Sequence, residues 1–263
     1  MPKTTPWDVL RVGDKQPTVF PDALVTEEPI EISLDGTPIA VLMRTPGDDE
    51  ELVAGFAITE GIVLGPAEIE RVAPIGDNQG RYELVLAGGV SVDPEQFRRN
   101  LFASSSCGVC GKASIDALRV AAPPLPQGPE LAADVLLSLP GAMLEAQETF
   151  SVTGGLHAAA AFTATGELVV LREDVGRHNA FDKVVGALIG AAWPPHDLVL
   201  VVSGRISFEI VQKAAVAGIP VVCGVSAASS LAVELGEELG LTVIGFLRGR
   251  GFNVYSGAGR LEA

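Results

Sequence analysis

The sequence predicts an α/β protein: a mostly parallel sheet flanked by helices, with a smaller α+β domain at the N-terminus. Three observations carry this. The last third alternates short apolar, β-branched runs with helical patterns of about ten residues, the rhythm of βαβ units. The first hundred residues instead hold a tight-turn hairpin signal and short strands broken by Gly and Pro. Between them lies AAPPLPQGPE at 121–130, whose prolines read as a linker. The expected division is a small α+β domain at 1–102, a cysteine loop, helix and linker at 103–130, and an α/β cofactor-binding domain at 131–263.

Each element has its own signal. EISLDGTPIAVLM alternates apolar and polar residues around Asp35-Gly36, which predicts a β-hairpin. In TPGDDEELVAGFAITEGIV, Asp48 is placed to cap a helix, with Glu51 as its capping-box partner, and the acidic first turn suits the positive helix end. RYELVLAGGVSV reads as strand. LAADVLLSLPGAMLEAQETF reads as helical with a break at its proline. Then GELVVL, LVLVVSG, IPVVCGVS and LTVIGFLRG read as strands, separated by the helices NAFDKVVGALIGAAW, FEIVQKAAVAG and LAVELGEELG.

Composition narrows the function classes. The 263 residues include 48% hydrophobic and 19% charged side chains, enough for a large core. A formal net charge of −15 argues against nucleic acid or an anionic membrane as partner, because the overall field repels both. An anionic ligand would need a local basic cluster. The N-terminal stretch MPKTTPWDVLRVGD lacks a signal-peptide core, and no apolar run approaches a membrane span. Three cysteines make no disulfide framework. The reading is a cytoplasmic chain with reduced thiols.

An open parallel sheet binds ligands beyond the carboxyl ends of its strands, beside the helix N-termini that follow. Three such ends share one chemical character: SGRIS with Ser203, Gly204 and Arg205, GVSAASS with Ser226, and FLRGRGF with Phe246, Leu247, Arg248, Gly249, Arg250 and Gly251. Small residues let the backbone approach a ligand, hydroxyls donate, and the arginines present fixed forks for phosphate or pyrophosphate. Strands also end on Gly and Ser for purely structural reasons. No Walker loop is present, and no GxGxxG with its acidic partner, so a nucleotide is favoured over a hydride-transfer cofactor. REDVGRHNAFDK could gather Asp174, Arg177, His178 and Asp182 into a charge network near the site, or could only cap a helix. His157, in TGGLHAAA, fits a hydrogen-bonded core histidine or a site residue.

SSSCGVCGKASIDALRV holds Cys107 and Cys110 as a lone C-x-x-C pair. A structural zinc site wants four ligands, and only one knuckle is present, with His157 and His178 as unforced completions. The zinc deaminase signature needs H-x-E ahead of its cysteines, whereas here His157 follows them and Ala159 stands in the Glu position. A thioredoxin-type disulfide would need a different strand order. Cys223 sits in a buried-strand pattern, where a free thiol acts as a small hydrophobe. A nucleophilic thiolate remains. Cys107 precedes a predicted helix N-terminus and lies near Lys112, and both features lower a thiol's pKa.

With these motifs in order, the chain resembles the FdhD/NarQ family of formate dehydrogenase accessory sulfurtransferases from about Glu31 to Tyr255. The motifs are LMRTPGDDEELVAGFAITEGI, SSCGVCGK, TGGLHAAA, REDVGRHNAFDKVVG, SGRISFEIVQKAAVAGIPVV, VSAASSLAVELGEELGLTVIGFLRG and FNVYSG. The resemblance implies a sulfur carrier that takes persulfide sulfur from a cysteine desulfurase. It would pass that sulfur to the bis(molybdopterin guanine dinucleotide) form of the molybdenum cofactor, for formate dehydrogenase or a related molybdoenzyme. It places the persulfide on Cys107, matches Cys110 to the second cysteine, and puts cofactor binding on Phe246 to Gly251. GDP-like nucleotides would then act as mimics, with no catalytic metal of the chain's own. It further implies a cytidine-deaminase-like fold and a homodimer. Two other readings stay open here: a cofactor-carrying chaperone without sulfur chemistry, and a zinc-binding structural module.

Overall fold

The computed structural model describes residues 2–13, 16–76, 80–95, 97, 125–191 and 193–262. Strands β1 (Thr4–Arg11) and β2 (Thr18–Val25) pair as an antiparallel ribbon on which Trp7, Leu10 and Val19 are exposed. Pro6 and Pro21 hide these strands from a propensity reading, since proline lacks the donor that a ladder needs.

Strands β3 (Glu28–Leu34), β4 (Thr37–Arg44), β5 (Ile69–Pro74) and β6 (Arg81–Leu86) form a second sheet in the order β4-β3-β6-β5. Its β3–β4 hairpin turns at Asp35 and Gly36, with φ of 49° and 73°. This two-residue turn is the one that the Asp-Gly pair predicts. Helix α1 (Asp49–Thr59) follows β4. The expected capping box does not form: Asp48 has φ 57° and makes no side-chain cap. Its carboxylate lies 3.2 Å from Lys3 Nζ, while Glu51 is taken by Arg172, at 2.5 and 2.7 Å. Cationic partners from distant segments win over the helix's own amides.

The third sheet has six strands in the order β12-β11-β10-β9-β7-β8: β7 (His157–Thr163), β8 (Leu168–Asp174), β9 (Leu198–Val202), β10 (Val221–Gly224), β11 (Thr242–Arg248) and β12 (Gly251–Ser256). β9, β10 and β11 pair in parallel. β8 points the same way, because β7 runs antiparallel to both β8 and β9. Only β7 and β12 oppose the common direction.

Side-chain alternation splits the core across this sheet. Ala159, Ala161, Leu200, Val202, Val222 and Val243 face one layer, where α4 (Arg177–Ile189), α5 (Phe208–Ala217) and α6 (Ser230–Leu239) pack. Ala158, Ala160, Phe162, Val199, Val201 and Ile244 face the other, with α2 (Ala133–Ala146). α2 runs through Pro140 and stops only at Gln147, before the short α3 (Glu148–Thr153). The proline break is therefore absent. Burial of Leu136, Leu139 and Met143 offsets the roughly 3 kcal/mol that an interior proline costs.

The first layer's cluster does not stop at residue 102. Ile30, Ile32, Leu52, Phe56 and Leu84 belong to the same buried cluster as Phe181, Val185 and Val211. α1 meets α4 so closely that a Cβ on Gly55 would run into the Asp182 carbonyl, and one on Gly186 into the Glu51 carbonyl.

Candidate functional site

Because β8, β9, β10 and β11 point one way, their carboxyl ends form one rim. Backbone hydrogen bonds knit its loops. Ser203 N–H donates to the Ala158 carbonyl (3.0 Å), Ile206 N–H to Ala227 (3.0 Å), Ser229 N–H to Ile206 (3.0 Å) and Phe246 N–H to Ser226 (2.9 Å). A Cβ on Gly224 would come within 2.7 Å of Ile206, so the approach of the first two loops depends on that glycine. The loops carrying Ser203, Gly204, Arg205, Ser226, Phe246, Arg248, Gly249, Arg250 and Gly251 therefore sit side by side.

The third loop differs from expectation. No helix follows β11; residues 249–250 turn directly into β12, with Arg248 paired to Gly251 and Gly249 at φ 64°. Arg248 and Arg250 are carried on an exposed hairpin tip. Phe246 holds φ 53°, a left-handed conformation that costs a non-glycine residue about 1–2 kcal/mol. Its ring lies 5.3 Å from the Arg248 guanidinium carbon. Leu247 is fully buried against the α2 layer, so its side chain belongs to the core and only its backbone faces the rim.

The first two loops are joined by groups that the βαβ rhythm does not mark. His157 opens β7, opposite Asp174 at the end of β8. Its Nδ1 is 3.5 Å from Ser203 Oγ, which accepts from Ala158 N–H. Burial, and then the nearby Arg177 and His178, push the imidazole's pKa below its ordinary value. Arg177 and His178 begin α4 beside this histidine, and His178 Nε2 is 3.0 Å from Glu209 Oε2 at the start of α5. Among the described residues, Arg177, Arg205, Arg248 and Arg250 have no carboxylate partner. In a chain with 33 acidic and 18 basic residues, four unpaired arginines on one rim are a local reversal of the overall charge.

Asp174 and Asp182 are not part of that rim chemistry. Asp174 is fully buried and pairs with Lys183, while Asp182 pairs with Lys213 at 3.0 Å beneath α1. The Asp182 and Glu60 carboxylates outweigh burial and hold the Lys213 ammonium above its ordinary pKa. An acidic cleft of about 520 Å³ lies elsewhere, lined by Pro46 to Glu51 and Tyr82. Cys223 is fully buried, and burial pushes its thiol far up, which removes it as a nucleophile. Cys107 and Cys110 lie outside the described residues.

The FdhD/NarQ family model matches residues 25–262, nearly the whole chain. This chain belongs to the FdhD/NarQ family. Curated FdhD/NarQ relatives include the sulfur carrier protein FdhD of Streptomyces coelicolor, 50% identical over 96% of this chain and 94% of that protein. The proteins of the same name from Nocardia farcinica and Sulfurisphaera tokodaii are 49% and 43% identical, over 92% and 94% of this chain and 89% and 95% of theirs. The fold matches a crystal structure described as a candidate formate dehydrogenase accessory protein from Desulfotalea psychrophila. Its TM-score is 0.77 at 23% identity, over 99% of this chain and 100% of that one. No described helix of this FdhD/NarQ member is long and apolar enough to cross a membrane.

Proposed function

We propose that this protein is a sulfur carrier that serves formate dehydrogenase maturation. The names of its FdhD relatives support the carrier role, and a structural neighbour described as a formate dehydrogenase accessory protein supports the pathway. In this reading the Cys107 thiolate attacks the outer sulfur of a cysteine desulfurase persulfide. A new S–S bond forms on Cys107, the old S–S bond breaks, and the desulfurase cysteine leaves as thiolate. This loading step requires no external oxidant or reductant. For release, Cys110 thiolate attacks the Cys107 sulfur. The outer sulfur departs as hydrosulfide toward the acceptor, and a cellular dithiol then reduces the disulfide.

The acceptor in this reading is the bis(molybdopterin guanine dinucleotide) cofactor, carried as substrate. The observation that supports it most is the set of unpaired rim arginines in an acidic protein. Pyrophosphate groups are the kind of anion that such forks bind. The buried, unreactive Cys223 leaves Cys107 and Cys110 as the thiols available for transfer.

Intact mass by non-reducing electrospray tests the carrier role, after incubation with a cysteine desulfurase and cysteine. The expected result is added sulfur on wild type and on Cys110→Ala, and none on Cys107→Ala. Equal sulfur addition to Cys107→Ala would overturn the assignment.

A further inference from the structure

Among the described residues, three buried side-chain atoms have no hydrogen-bond partner: Arg177 Nε, His178 Nε2 and Glu209 Oε1. They are not scattered. Arg177 and His178 are the first two residues of α4, and Glu209 is the second of α5, across the β9 loop. His178 Nε2 lies within ion-pair reach of Glu209 Oε2 but is not aligned to hydrogen-bond it. Leaving a buried donor or acceptor unsatisfied costs about 1–3 kcal/mol, so native proteins keep few. His178 Nε2 and Glu209 Oε1 belong to one ion pair, which leaves the Arg177 Nε–H as the donor that points to an acceptor from outside.

The chemistry of the missing group follows from Arg177. Its Nε–H needs an acceptor, and no carboxylate among the described residues supplies one. Asp174, three residues earlier, is fully committed to Lys183, Thr45, Asn179 and Gly176. Gly204 keeps the backbone bare between Arg177 and His157: a Cβ there would already touch both, at 3.4 Å from Arg177 Cδ and 3.6 Å from His157 Nδ1. A guanidinium, an imidazole and the Ser203 hydroxyl, all able to donate to an oxyanion, stand around that point.

We propose that Arg177, with His157, Ser203 and the bare Gly204 backbone, forms a phosphate subsite on the α4 side of the rim. It is separate from the Arg248–Arg250 hairpin tip, which lies across β9 and β10 in the sheet order. The inference rests on the nucleotide reading above and adds a second anchoring point to it. A substrate with two pyrophosphates would engage both.

Isothermal titration of the full chain with inorganic pyrophosphate and with GDP tests the subsite, for wild type, Arg177→Gln, Arg177→Lys and the Arg248→Gln/Arg250→Gln double variant. Wild type is expected to bind two pyrophosphates, and Arg177→Gln and the double variant one each. Loss of the Arg177 contacts weakens that subsite about 10- to 100-fold, the range for charged hydrogen bonds. Arg177→Lys recovers part of it, because it keeps the charge without the fork. Arg177→Gln breaks no ion pair, so it should melt with wild type. Unchanged stoichiometry and affinity in Arg177→Gln overturns the subsite and leaves the nucleotide reading standing. Pyrophosphate binding that depends on Arg177, with no binding of GDP, keeps the subsite and removes the nucleotide reading. Wild type that binds neither probe overturns both.

Discussion

Lys183 Nζ lies 2.8 Å from Asp174 Oδ2, and neither side chain has any exposed surface. The pair does more than neutralise itself. Lys183 donates to the Thr45 carbonyl, and Asp174 accepts from the Thr45, Gly176 and Asn179 nitrogens. Two stretches of chain, at Thr45 and at 174–183, thus converge under the turn that presents Arg177. Asp174 is a positioning residue for the rim.

Removing one partner leaves the other charge buried. Asp174→Asn and Lys183→Met should each cost about 3–5 kcal/mol, and the double variant should cost less than the two added together. Urea unfolding of the four proteins measures the cycle. Simple additivity would show that the two residues do not act as a pair.

Gly55 and Gly186 set the approach of α1 to α4. An alanine at either position meets a backbone carbonyl, which no rotamer change relieves. Each substitution should cost about 3 kcal/mol, the upper end of ordinary overpacking. Gly141 in α2 has open space around its Cβ position, so Gly141→Ala should instead stabilise by about 0.5–1 kcal/mol. Thermal melts that rank the three variants otherwise would contradict this packing.

Cys223 should resist iodoacetamide in the native protein and react only after unfolding, because burial raises its thiol pKa and blocks access. Peptide mapping after alkylation reads this directly. Cys223→Ala should load sulfur like wild type. Rapid native alkylation of Cys223 would mean that its strand opens readily.

His157 links stability to pH. Its folded pKa lies below the usual value of about 6.5, through burial first and then Arg177 and His178, with Asp174 opposing. The unfolded chain therefore takes up this proton first as pH falls. The contribution from keeping His157 neutral is complete above about pH 6.5 and is lost progressively below it, at no more than about 1.4 kcal/mol per pH unit. Melting temperatures at pH 7.5 and 5.5 should fall further for wild type than for His157→Gln. An identical acid shift in both would remove His157 as the source.

Several of these features are legible in the amino-acid sequence. The alternation in LVLVVSG, IPVVCGVS and LTVIGFLRG, with helices between, specifies the parallel strands, and Asp35-Gly36 specifies its hairpin. Local signals are enough there because strand burial and turn geometry depend on neighbouring residues. The three rim segments are visible for the same reason, since strand ends follow from strands. The β1–β2 ribbon is hidden by its prolines, and β7 by its alanines, which carry little strand preference.

The sequence by itself determined the strand–helix order and the arginines carried at the strand ends. Only the tertiary structure decided which charges are spent. Asp174, Asp182, Arg177 and His178 look alike within REDVGRHNAFDK. Lys183 and Lys213 draw both aspartates into the core, Glu209 approaches His178, and Arg177 is left without an acceptor. A charge's partner is set by whichever element packs against it. Lys183 lies in the same motif as Asp174, but Lys213 and Glu209 stand on another helix, 31 residues from Asp182 in the case of Lys213, where no spacing within the motif reaches.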